Sequence, residues 1–204
     1  IKPLYAKYLL AAFGSAMITS VYSIVDTAMV GQYHGPQGTA ALAVVAPVWN
    51  IIYSLGLLVG IGGSVIFSMK RGSEKESGVE NQYFTVAAIG AVLLSVLAWA
   101  GVLCFDRPIL TFFGADEALL PLAREYMRPI KYVFPLFLFN QMLAAFLRND
   151  KNPGLATLGV LSGGIFNVAG DYFFVFTCDM GIYGASLATA IGSGISFLVM
   201  LTHF

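Results

Sequence analysis

The chain has 204 residues, 58% of them hydrophobic and only 11% charged, with a formal net charge of zero. Soluble domains carry about 25% charged residues, so a mean hydropathy of +0.79 excludes an ordinary soluble globular domain. The balanced charge leaves no polybasic face for nucleic acid. Six apolar segments are each long enough to cross a hydrocarbon core of about 30 Å, which takes about 20 helical residues. They are predicted at 4–32, 40–69, 82–105, 120–147, 154–177 and 182–204. The fold class is therefore all-α, a polytopic membrane protein of six transmembrane helices. Its 22 glycines agree, because small residues let membrane helices approach closely. The chain starts at Ile1 without a methionine and stops inside an apolar run at Phe204, which is expected of a piece of a longer protein.

In span one, Ser15, Thr19, Tyr22 and Asp26 fall on one helical stripe. His34-Gly35-Pro36-Gln37-Gly38 is a turn signal between spans one and two. Trp49, Asn50 and Tyr53 follow Pro47 in span two, and a charged loop from Lys70 to Glu80 leads to span three. The connection from Phe105 to about Leu119 holds Asp106-Arg107-Pro108 and then Ile109-Leu110-Thr111-Phe112-Phe113, an amphipathic piece expected at the membrane interface. Span four contains Pro129, Pro135, Asn140 and Gln141 and ends at a turn from Arg148 to Pro153. The prolines either kink their helices or are merely tolerated there. Span five carries Asn167 and Asp171, Cys178 to Gly181 is a short turn, and span six has a stripe of Ser186, Thr189, Ser193 and Ser196. Cys104 and Cys178 read as isolated, space-filling thiols. With a cytoplasmic N-terminus, Lys2, Lys7, Lys70, Arg71, Lys75, Arg148 and Lys151 fall inside, while Arg107, Arg124, Arg128 and Lys131 cluster at the long outer connection. That bias favours both termini inside.

Away from the span ends, where Lys7 and the cluster Arg124, Glu125, Arg128 and Lys131 lie, Asp26 and Asp171 are the only acids within the predicted spans, and no basic residue accompanies them there. A lone Asp at the centre of a membrane helix costs about 2.5–3.5 kcal/mol on insertion scales. Asn167 and Asp171 are one turn apart and share a face. Counted from the span centres, both acids lie about 8–12 Å toward the outer side, so they could share a cavity if spans one and five pack together. Such a pair suits a proton taken up and released, or Na⁺ held among oxygens. The plainer alternatives are an acid that caps a helix end, near Val30-Gly31 for Asp26, or one that faces headgroup water. Tyr22, Asn50, Tyr53, Asn140 and Gln141 are further polar candidates for a cavity lining, since an unpaired amide in lipid is costly. Ser and Thr can simply bond their own helix carbonyls. The aromatic residues either stack on an organic cation or face lipid and its interfaces.

Other motifs carry little. Gly60-Ile61-Gly62-Gly63 has no βαβ context, His34 and His203 lack zinc-ligand spacing, and no nucleophile sits in a catalytic constellation. The chain reads as a non-enzyme without an organic cofactor. One internal echo stands out. Asp26 precedes Gly35-Pro36-Gln37-Gly38 and a small-residue helix start, and Asp171 precedes Gly181-Ile182-Tyr183-Gly184 and another. It is either a chance match in a Gly-rich chain or a parallel repeat of hairpins, as in repeat-built transporters.

Val25-Asp26-Thr27-Ala28-Met29-Val30-Gly31 with Gly38-Thr39-Ala40-Ala41-Leu42-Ala43, Leu147-Arg148-Asn149 with Asn152-Pro153, Asn167 with Asp171, and the run from Gly181 to Thr189 occur in one order across the chain. Together they strongly resemble the multidrug and toxic compound extrusion (MATE) transporters. The resemblance implies a twelve-helix antiporter of two six-helix lobes. This chain would be the N-terminal lobe, and the C-terminal six-helix lobe would be its missing partner. It further implies export of organic, often cationic, compounds across the plasma membrane in exchange for H⁺ or Na⁺. The family's cation site matches Asp26, Asn167 and Asp171, with Thr189 matching a threonine of some members. Some proton-coupled members bend helix one at a proline, and none stands here between Pro3 and Gly31. Two other readings remain open at this stage: a flippase for a lipid-linked precursor, which an Arg- or Lys-rich cleft would favour, and a non-transporting or half-size dimeric membrane module.

Overall fold

The computed structural model describes residues 2–72 and 79–203, and every regular element among them is a helix. Lys75 and most of the predicted charged loop lie outside the described residues, as do Ile1 and Phe204. Lys2–Arg71 is helical apart from one break at Gly35, where φ is 64° and ψ −153°. A residue with a Cβ is strongly disfavoured in that conformation. The break separates α1 (2–34) from α2 (36–71), and Pro36, lacking an N–H, suits the first position of the new helix. The chain doubles back there so closely that a Cβ on Gly31 would stand 2.8 Å from Thr39 Cγ2.

Next come α3 (Val79–Cys104), the short α4 (Asp106–Phe112), α5 (Leu120–Asn149), α6 (Pro153–Tyr172) and α7 (Gly181–Leu201). The six long helices lie where the six spans are predicted, and the turns are shorter than expected. Gly35 alone reverses the first hairpin, and α5 runs on through Arg148 to Asn149. Pro47, Pro129 and Pro135 sit inside helices that continue past them. Asn152 caps α6, its Oδ1 accepting from Leu155 N–H at 3.3 Å, and Pro153 takes the first helical position. After α6 the backbone widens into a π turn over Phe173–Thr177, with Cys178 N–H donating to Phe173 O at 2.9 Å. Nothing in the apolar run Phe173-Phe174-Val175-Phe176 foretells that turn.

α5 forms the centre of the bundle, packed by α2, α3, α6 and α7. Tyr126, Ile130, Phe134, Leu138 and Met142 recur every four residues along it and are all buried, so one continuous face of α5 is sealed by its neighbours. α1 and α3 lie outermost. Leu10, Phe13, Met17, Val21 and Ile24 make an exposed apolar stripe on α1, and Val86, Ile89, Leu93 and Leu97 make one on α3. Such stripes suit hydrocarbon and would be unfavourable in water. In α4, Leu110 is buried against protein while Phe112 projects outward. Cys104 and Cys178 are free and exposed, so they are not the interior space-fillers expected from sequence.

Polar clusters mark the two ends of the bundle. At one end Arg71 pairs with Asp150, His203 Nε2 lies 2.8 Å from Asp150 Oδ2, and Asn149 donates to Ser64 Oγ at 2.8 Å. At the other, Asp106 Oδ2 takes Lys131 Nζ at 2.6 Å and Arg124 Nε at 2.9 Å. Burial pushes the Asp106 carboxyl up, but bonds from Lys131, Arg124 and the Arg107 N–H outweigh it and hold the group below its ordinary range.

The internal echo corresponds to matching turns. Gly35 and Gly181 both have positive φ, 64° and 55°. Gly38 and Gly184 both sit where a Cβ would strike a backbone carbonyl of the preceding stretch of chain, Val30 O at 2.9 Å and Phe174 O at 2.8 Å. The two turns also touch. His34 Nε2 accepts from Ile182 N–H at 3.0 Å, and Tyr33 Oη donates to Asp179 Oδ1 at 2.5 Å.

Candidate functional site

Two acids anchor the site from different helices. Asp26 lies well inside α1, which continues to residue 34, so it caps no helix end near Val30-Gly31. It is buried, and Tyr126 Oη of α5 donates to its Oδ2 at 3.0 Å. Asp171 stands in the last turn of α6 and is fully buried. Asn167, one turn earlier, divides its two N–H bonds: one goes to Asp171 Oδ1 at 3.4 Å and the other to Thr189 Oγ1 at 3.0 Å. Thr189 spends its own proton on Ala185 O at 3.2 Å and so presents only lone pairs to Asn167.

The α6–α7 contact that permits this network rests on glycine. Gly163 and Gly192 meet backbone to backbone, so that a Cβ on Gly163 would fall 2.5 Å from Gly192 O. A turn or two along, a Cβ on Gly170 would press on Ala188 Cβ at 2.9 Å. Larger residues at these positions would hold the helices apart.

Three buried acceptors in this region, Asp26 Oδ1, Asp171 Oδ2 and Asn167 Oδ1, have no donor among the described residues. The two carboxylates are near enough for their charges to interact. A buried acceptor without a donor is unfavourable, and a second carboxylate close enough to repel it compounds that. A bound proton or small hard cation relieves both penalties at once. Among the described residues no group of three His, Cys, Asp or Glu comes together. The donor set of carboxylate, amide and hydroxyl oxygens fits a monovalent cation or a proton better than a transition metal.

Asp26, but not Asp171, lines an open cavity of about 450 Å³ with Tyr22, Trp49, Asn50, Tyr53 and Tyr126. A second cavity of about 190 Å³ adjoins it, reached by Asn140, Asn167 and Ser193. Gln141, Tyr22, Tyr53 and Thr189 line both, so the two form one cleft. The possibility that both acids share one cavity is not met, since Asp171 lines neither part of the cleft. Asn167 and Thr189 reach the cleft, while Asp171 is sealed behind them because the glycine contact leaves no gap between α6 and α7. Asn140 is occupied structurally, its Nδ2 donating to Ser193 O at 3.0 Å and Ser193 Oγ at 2.9 Å.

Two residues of the cleft escape a reading of the sequence. Tyr126 lies near the start of predicted span four, beside the charged Arg124 and Glu125, and is not among the polar candidates read from sequence. Its four-residue spacing to Ile130, Phe134 and Leu138 is the available signal. Arg148 reads from sequence as part of a turn, with no basic residue expected in the interior. The extra helical residues of α5 instead carry Arg148 into the lining of the smaller cavity.

Comparison with known proteins agrees with this architecture. The MatE family model matches residues 11–173. The multidrug export protein MepA of Staphylococcus saprophyticus is 23% identical over 190 residues, which is 93% of this chain and 42% of that protein. MepA of Staphylococcus aureus is 24% identical over 189 residues, 92% of this chain and again 42% of the relative. Among solved structures, the MATE multidrug transporter DinF-BH superposes with a TM-score of 0.93 at 26% identity, covering 100% of this chain and 46% of that one. The chain therefore spans less than half the length of the relatives it matches.

Proposed function

Because the chain belongs to the MatE family, we propose that it forms the N-terminal six-helix lobe of a cation-coupled exporter of organic compounds. On this reading it lies in the plasma membrane with the N-terminus cytoplasmic, and a C-terminal six-helix lobe completes the cleft. The supporting observation is the group of buried acceptors, Asp26 Oδ1, Asp171 Oδ2 and Asn167 Oδ1, left without donors beside an open aromatic cavity. H⁺ or Na⁺ is the coupling ion. Asp171 and Asn167 hold it behind Thr189, and Asp26 holds it at the edge of the cavity.

Competition follows from position. An organic cation in the larger cavity stacks on Tyr22, Trp49 and Tyr53 and seeks the same Asp26 carboxylate as the coupling ion. Each occupant neutralises the charge that attracts the other. Tyr126, from α5, holds the Asp26 carboxylate through its Oδ2. The exchange becomes transport only as far as the two occupants bind the inward- and outward-open states differently.

The test is drug efflux by the full-length protein carrying Asp26→Asn or Asp171→Asn, compared under an imposed Na⁺ gradient at fixed pH and an imposed pH gradient without Na⁺. Both variants are expected to lose gradient-driven efflux. Transport at the wild-type rate in both would overturn the assignment.

A further inference from the structure

The end of the cleft away from Asp26 carries a charge of the opposite sign. Arg148 is the one charged residue among the described lining of the smaller cavity. Its Nε is buried, and no described group accepts a bond from it. The nearest acid in sequence, Asp150, is engaged elsewhere, by Arg71 and His203. A guanidinium stays protonated in proteins, and a buried N–H of a charged group without an acceptor is unfavourable. The neighbouring groups are neutral. They include the Tyr53 hydroxyl and the Gln141 amide, which suit an oxyanion's remaining lone pairs.

This end is separate from the acid end. Arg148 follows Tyr126 by 22 residues on α5, about 33 Å along the axis at 1.5 Å per residue. A drug-sized molecule cannot reach both. The apolar part of the smaller cavity, with Phe137, Ala144, Val160 and Met200, offers room for a hydrophobic body next to the charge.

We propose that Arg148 forms an anion-recognising subsite, which takes the oxyanion group of an amphipathic molecule whose apolar body lies along α5 and α6. The oxyanion is either the carboxylate of a soluble organic acid or zwitterion, or the phosphate of an anionic lipid. An anionic group is thereby read by a fork of charged N–H donors at one end of the cleft, and a cationic group of a different cargo by a carboxylate at the other. This inference rests on the export reading only in taking the cleft as the cargo's path.

The experiment measures binding to the purified full-length protein without any gradient, so loss of ion coupling and loss of the anion subsite are read separately. The probes are a rhodamine bearing a free carboxylate and its methyl ester, identical but for that charge, followed by fluorescence polarisation. Arg148→Gln is expected to weaken the free acid about tenfold while leaving the ester unchanged, and the ester also reports that the variant is folded. Arg148→Lys is expected to retain part of the preference for the acid, because the charge stays while the fork of donors is lost. Equal loss of both dyes, no loss of either, or a lysine variant as impaired as the glutamine one would overturn the proposal. Repeating the titration in phosphatidylcholine nanodiscs with and without phosphatidylglycerol distinguishes the sources. Competition by phosphatidylglycerol in the wild type but not in Arg148→Gln assigns the subsite to lipid phosphate. An acid-selective wild type indifferent to phosphatidylglycerol assigns it to a soluble acid.

Discussion

Replacing Gly163 with alanine tests whether the cation site depends on the backbone contact between α6 and α7. The new Cβ would overlap the Ser196 hydroxyl, which can rotate away, and would stand 2.5 Å from Gly192 O, which cannot, whereas an ordinary carbon–oxygen contact is about 3.3 Å. The helices must therefore part by about 0.8 Å in that layer. Asn167 lies one turn further along α6, and its bond to Thr189 Oγ1 is 3.0 Å. A separation carried through that turn stretches the bond to about 3.8 Å, beyond hydrogen-bonding reach. Overpacking of this kind costs about 1–3 kcal/mol, against a gain of up to about 1 kcal/mol from replacing a helical glycine by alanine. Gly194 on α7 is the matched control, because a Cβ there meets nothing within 4 Å. The difference in stability between Gly163→Ala and Gly194→Ala then isolates the packing cost, expected at about 1–3 kcal/mol. The assays are the thermal midpoint of the full-length protein in detergent and drug efflux in cells. Gly194→Ala should melt at or slightly above the wild type and export like it, while Gly163→Ala should melt earlier and export poorly. A Gly163→Ala protein as stable and as active as Gly194→Ala would refute the reasoning.

Tyr126→Phe removes the donor to Asp26 Oδ2 and leaves both carboxylate oxygens without a protein partner. A hydrogen bond to a charged group contributes about 1.5–3 kcal/mol, so the variant should unfold earlier in a thermal melt and lose efflux of organic cations together with Asp26→Asn. Asp106 gives a prediction in pH. Its folded carboxyl is held below the ordinary value by Lys131, Arg124 and the Arg107 N–H, which outweigh the opposing effect of burial. Its contribution to stability is therefore complete above the unfolded value of about pH 3.9 and disappears as pH falls through the lower folded value. Asp106→Asn should melt below the wild type at neutral pH, and the two melting curves should converge as the solution is acidified below about pH 4.

The sequence already contains much of this protein. Hydropathy alone marks six crossings, because an apolar run of about 20 residues has few other uses. Gly35 and Gly181 are legible as turns because each stands in a repeated Gly-x-x-Gly pattern between apolar runs, and both adopt positive φ. Asp26, Asn167 and Asp171 are legible as costly polar groups in otherwise apolar helices. The spacing of four that puts Asn167 over Asp171 is a property of any α-helix.

What the sequence leaves open is which of those polar groups meet, and which face the cleft. Tyr126 reaches Asp26 only because α5 packs in the middle of the bundle, a hundred residues away along the chain. Asp171 is closed off from the cleft, and Asn167 is not, because two glycine contacts bring α6 and α7 together at their level. Arg148 turns from a loop charge into a cleft charge through the final residues of α5, a boundary set by packing at the helix end rather than by hydropathy. Burial costs are local and can be read residue by residue. The partner that relieves each cost is chosen by helix packing, and that choice belongs to the tertiary structure.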